Sequence, residues 1–90
     1  MKTNQIKWSW YAPRNANKVT VRTADFVEWD FMTGLNKDKK TAFLQVFRYN
    51  PKGYKTVTVL NKEFQTIGDA MLYAHIKITK MLQSGGARIV

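Results

Sequence analysis

The sequence predicts an α+β fold: an antiparallel four- to five-stranded β-meander followed by one C-terminal helix packed on one sheet face. Three observations predict it. Apolar and polar residues alternate in short runs between residues 6 and 60, the period of strands with one face in a core. Residues that favour turns separate these runs. Beyond Asn61 the apolar spacing changes to that of a helix.

In the first run, Ile6, Trp8 and Trp10 share one face, opposite Lys7, Ser9 and Tyr11. Pro13 and Asn15-Ala16-Asn17 end it as a turn. Val19 and Val21 then point inward with Thr20 and Arg22 outward, and after Ala24-Asp25 the pattern resumes as Val27, Trp29 and Phe31 opposite Glu28 and Asp30. Residues 19–33 read equally as one bent strand or two. Gly34 to Lys40 is a polar, basic loop. From Ala42 to Tyr49 a strand is apolar on both sides, with Leu44 and Val46 on one and Phe43, Phe47 and Tyr49 on the other; such a strand is covered twice or offers one face to a partner. Asn50-Pro51-Lys52-Gly53 predicts a hairpin turn, Pro51 fixing φ and Gly53 free to take positive φ. Tyr54 to Leu60 closes the meander, Lys55, Val57 and Val59 alternating with Tyr54, Thr56 and Thr58.

Thr66, with Asp69 three residues on, resembles a capping box and predicts a helix over about 66–83. Its apolar stripe is Ile67, Ala70, Met71, Ala74, Ile78, Met81 and Leu82. Leu72 and Ile76 project away from that stripe, which predicts contact with a symmetry-related helix or another protein. Lys77 and Lys80 suit the negative C-terminal pole. Ser84-Gly85-Gly86 stops the helix, and residues 84–90 read as a flexible tail. One domain, residues 1–90, is expected.

Fifteen Lys and Arg against six Asp and Glu leave a net charge of +9. A surface with this excess attracts polyanions. Cysteine is absent and His75 is the only histidine, which excludes disulfides, thiol catalysis, Cys-bearing zinc sites and histidine clusters. No apolar run approaches the ~20 residues of a membrane span. Met1 to Lys7 lacks the apolar core of a signal peptide, so the expected location is cytoplasmic, and nucleoid-associated if the ligand is DNA.

Unpaired bases stack on flat side chains while cations track the phosphates. This chain interleaves both chemistries. Trp10, Phe47, Tyr49 and Tyr54 are the candidate stacking platforms, drawn from a wider set that includes Trp8, Tyr11, Trp29 and Phe43. Arg22, Arg48, Lys52 and Lys55 are candidate phosphate contacts, and Lys37, Lys39 and Lys40 add electrostatic capture. Asp25, Glu28 and Asp30 are half of all the acids; pairing with cations of neighbouring strands is favoured over a metal site. No nucleophile–base pair or phosphate loop can be assembled, so no catalytic residue, metal ligand or cofactor is assigned and an enzyme is not expected.

Val19 to Arg22, then Leu44 to Gly53, then Thr58 to Phe64, resemble the transcriptional-coactivator family of single-stranded DNA binders. The resemblance implies a curved antiparallel sheet, a C-terminal helix that pairs in a dimer, and sheets that grip unpaired strands. The Trp-rich run at residues 6–11 and the segment around 24–41 depart from that pattern. Phe43 to Ile78 is also similar to the three-stranded-sheet-plus-helix domains of phage integrase arm-binding segments and plant ethylene-response factors. That resemblance implies a sheet in the major groove of duplex DNA.

The leading expectation is a homodimeric protein binding single-stranded nucleic acid, DNA favoured, with low sequence specificity and no membrane partner. The alternatives are a duplex-DNA-binding sheet domain, or a small phage or mobile-element protein that binds and inhibits or modulates a host protein.

Overall fold

A computed structural model describes residues 6–90; the reading of residues 1–5 as part of a leaderless N-terminus lies outside them. Five antiparallel strands follow one another as a meander: β1 (Ser9–Tyr11), β2 (Ala16–Arg22), β3 (Glu28–Leu35), β4 (Ala42–Asn50) and β5 (Lys55–Phe64). Helix α1 (Ile67–Gln83) follows, and a short β6 (Arg88–Ile89) returns to pair with β2. The α+β meander with one C-terminal helix on one sheet face is therefore the architecture of the chain.

The alternation places the core. Val19, Phe31 and Val46 face one another across β2, β3 and β4, with Leu60 beside them on β5. Over them lie Ala70, Ala74 and Ile78, all fully buried. Alanine at two of these three positions lets the helix sit close to the sheet. Trp8, Trp29, Phe64, Met81 and Leu82 close the margins of this cluster. Thr33, the buried polar residue of the layer, donates its hydroxyl to Phe43 O at 2.8 Å, so it carries no desolvation penalty.

Several boundaries differ from the sequence reading, each because long-range pairing outweighs a local signal. Residues 19–33 form two strands, joined by a turn in which Thr23 N donates to Val27 O at 2.9 Å. Regular pairing of the first run is confined to Ser9–Tyr11, and Ala16-Asn17, read as turn, already belongs to β2. Gly34 and Leu35, read as loop, pair with Phe43 and Ala42. Gly34 is required there, since a Cβ would stand 2.9 Å from Asn15 O and 3.1 Å from the Phe43 ring. β5 runs four residues past Leu60 because Ala42 to Val46 pair with it up to Phe64. In the β4–β5 turn, Gly53 N donates to Asn50 O at 3.1 Å, but the positive φ of 50° falls on Tyr54 rather than Gly53.

The tail is the largest correction. Arg88 and Ile89 pair with Arg22 and Val21, and Val90 N donates to Thr20 O at 3.0 Å, so residues 88–90 are not a loose tail. Gly86 makes this return possible. Its φ is 78°, and a Cβ would stand 2.7 Å from the Ala24 Cβ, so only glycine lets the chain cross the β2–β3 turn.

Candidate nucleic-acid interface

Because α1 covers the Val19–Phe31–Val46 side, the opposite side of the sheet is left to the outward-facing residues. Register pairing arranges them in rows. Arg88, Arg22, Glu28, Tyr49 and Thr56 form one row, and Thr20, Asp30, Phe47 and Thr58 the next. Lys18, Met32, Gln45 and Asn61 follow, then Gly34, Phe43 and Glu63. Down the middle runs β4, whose Phe43, Phe47 and Tyr49 all point away from the helix and are half-buried. The second side of the two-faced strand read from the sequence is only partly covered, by the segment that carries Arg14 and Asn15, beneath which Ala16, Met32 and Gly34 are buried.

Cations flank this column on its β2 side. Arg14, at the end of a 3-10 turn (Ala12–Arg14), donates to Gln45 Oε1, and its guanidinium lies 5.7 Å from the Phe47 ring centre. Lys18 Nζ lies 4.5 Å from the centre of the Tyr11 ring, a neighbour on the same face. Arg22 donates to Glu28 Oε2 from Nη2 at 2.6 Å and from Nε at 3.2 Å, the one salt bridge among the described residues. Asp30 accepts from the Thr20 hydroxyl at 2.6 Å. Glu28 therefore pairs with a cation of β2, as the sequence reading favoured, whereas Asp30 is held by a β2 hydroxyl rather than by a cation; no metal-holding cluster forms among the described residues.

Two of the remaining acids, Asp25 and Asp38, are engaged locally. Asp25 accepts from the Thr23 hydroxyl, and that bond, followed by backbone N–H groups, holds its carboxyl below the ordinary aspartate range. Asp38 accepts from the backbone N–H groups of Lys40 at 2.8 Å and Thr41 at 3.1 Å, which lowers its pKa likewise. Lys37, Lys39 and Lys40 in this β3–β4 turn are exposed and make no ion pair among the described residues.

The predicted set divides by position. Arg22, Arg48, Tyr49, Lys52, Tyr54 and Lys55 gather at the end of the sheet that holds the β4–β5 turn. The Lys37–Lys39–Lys40 turn lies at the opposite end, and Phe47 lies between. Three members leave the uncovered face. Arg48 pairs with Trp29 on the helix side, its guanidinium 5.8 Å from that ring. Lys55 shares the side of Arg48 and Val57, and Trp10, paired with Asn17, sits on the helix side at the outer edge, exposed. Tyr54, 84% exposed, stands in the turn.

Three cations of this face were not among the sequence candidates: Arg14, Lys18 and Arg88. Period-2 spacing would have put Lys18 beside Thr20 and Arg22, so a signal existed. None existed for Arg14, in a turn, or Arg88, in a two-residue strand. Phe26, 63% exposed at a φ of 67° in the β2–β3 turn, was also passed over. On α1, Leu72 is 62% and Ile76 53% exposed, so no described segment covers them.

No family model, curated protein or solved structure matches the chain at a significant level. No helix of the described residues is long and apolar enough to cross a membrane.

Proposed function

We propose that this chain binds single-stranded nucleic acid, DNA favoured, along β4 on the face that α1 leaves uncovered, with little sequence preference. The observation that carries the reading is the column of Phe43, Phe47 and Tyr49 beside cations that acids do not neutralise. Side chains two apart on one face of a strand stand about 7 Å from each other, an interval that an extended strand with unstacked bases spans. Phe47 and Tyr49 stack bases, Lys18 and Arg88 meet phosphates, and Arg14 serves as a second layer on Phe47. Lys37, Lys39 and Lys40 draw the polyanion toward one end, and Lys52 with Tyr54 receives it at the other. Duplex DNA lacks the exposed base faces that such rings engage, which favours the single-stranded reading over the sheet-in-groove alternative.

Anisotropy of a labelled oligothymidine across a salt series tests this. Phe47→Ala and Tyr49→Ala should each weaken binding by about 1–3 kcal/mol without changing the salt slope. Lys18→Ala or Arg88→Ala should lower that slope by about 0.7. Absence of binding at low salt, or equal competition by duplex DNA, refutes the reading.

A homodimer belongs to the same proposal. Leu72, Ile76, Thr79 and Gln83 follow one another at intervals of four, three and four, the seam spacing that pairs one helix with a copy of itself. Sedimentation of Leu72→Glu should show a monomer where the parent chain sediments as a dimer; a monomeric parent chain disproves it.

A further inference from the structure

We propose that the outer edge of β5, with the cleft between β5 and α1, takes an extended acidic segment of a partner protein as an added strand. β5 is ten residues long, and no described segment pairs with its outer side. Such an edge offers a row of backbone N–H and C=O groups to an incoming strand, which supplies affinity through main-chain hydrogen bonds. Thr56-Val57-Thr58-Val59 gives its middle the β-branched composition that suits a strand.

A bulge shapes what lies beneath. Pairing steps from Val46–Leu60 to Phe47–Thr58, leaving Val59 unpaired. Val59 and Leu60 both line a cleft of about 280 Å³ with Trp29 and Met81 at its sides and buried Phe31 and Val46 at its floor. That volume falls just below the ~300–1,000 Å³ of small-molecule sites and suits one bulky apolar side chain reaching in from an added strand. Lys77 and Lys80, both exposed, complete the lining.

Charge selects the occupant. Lys55, Lys62, Lys77 and Lys80 stand on β5 and beside the cleft, against Glu63 alone. A second copy laid antiparallel on this edge would bring two lysines for its one glutamate to an edge that is already net positive, and like charges directly opposite each other on paired strands are destabilising. A segment rich in Asp and Glu meets opposite charges instead, and an apolar residue on its helix-facing side fills the cleft. The site is separate from the uncovered face, so either proposal can fail without the other.

The probe is a fluorescein-labelled heptapeptide in which threonine alternates with glutamate, a central leucine and glutamate, so that both glutamates and the leucine share the helix-facing side. Saturable polarisation is expected, together with slowed amide exchange confined to residues 55–64. Lys77→Gln with Lys80→Gln, two exposed changes, should weaken binding at least tenfold, whereas Phe47→Ala with Tyr49→Ala should retain it. Equal binding by the lysine counterpart of the peptide overturns the proposal, as does absence of β5 protection at saturation. It is likewise overturned if β5 amides slow on concentrating the protein alone, which makes a second copy the occupant, or on adding oligothymidine alone, which makes nucleic acid the occupant.

Discussion

Glu28 shows how one side chain sets the electrostatics of the uncovered face. It holds Arg22 through two contacts and sits beside Tyr49 in the same row, so on the proposed reading it would take one cation away from phosphate and add a negative charge next to a stacking ring. Both partners are about one-third exposed, at 29% and 32%, and such pairs stabilise by less than about 1 kcal/mol. Glu28→Gln should therefore barely move the urea midpoint. It should strengthen oligothymidine binding and steepen its salt slope by about 0.7; weaker binding would show that the Arg22–Glu28 pair itself shapes the site. Asp38 poses a pH question. Backbone N–H groups favour its charged form, so its pKa is lower in the folded chain than in the unfolded one. The resulting stabilisation is complete above the unfolded value and disappears as pH falls through the lowered one. A carboxyl chemical-shift titration should place the Asp38 midpoint below that of an unstructured aspartate, and Asp38→Asn should loosen the 36–41 turn at neutral pH.

Close approach fixes how several elements meet. Gly34→Ala would push a methyl against a backbone oxygen and the Phe43 ring. It should cost about 1–3 kcal/mol in urea unfolding and disturb the upper end of the aromatic column. The N-terminus of α1 depends on Thr66, whose hydroxyl accepts from Asp69 N at 3.0 Å; Thr66→Ala should lower stability by about 1 kcal/mol. β6 ties the end of the described chain to β2 and sets Arg88 beside Arg22. Deleting residues 87–90 should speed amide exchange at Val21 and Arg22 and reduce the salt slope of binding, two effects that a loose tail would not produce.

At the scale of the whole molecule, one sheet and one helix make a slab measuring 38 × 32 × 20 Å, with the main core between them. The charge of +9 is spread over both ends and both faces, so on the proposed reading long-range attraction of a polyanion would come from the molecule as a whole, while the aromatic column would decide where it lies. Association rates should accordingly fall steeply with ionic strength, and rates measured for Phe47→Ala should fall with the same dependence.

Periodicity alone marked the alternating runs, the helix and the two-sided character of β4, but not whether residues 19–33 make one strand or two, because alternation and 3.6-residue spacing are properties of neighbours along the chain. It also marked Leu72 and Ile76 as surplus to the stripe. Tertiary structure decided the rest. Strand ends, the return of β6 and the bulge at Val59 depend on partners distant in sequence, whose hydrogen bonds outweigh local propensity. The same pairing turned Arg48 and Lys55 to the helix side and brought Arg14, Lys18 and Arg88 to the other. A charge count has no direction, and only register gives it one.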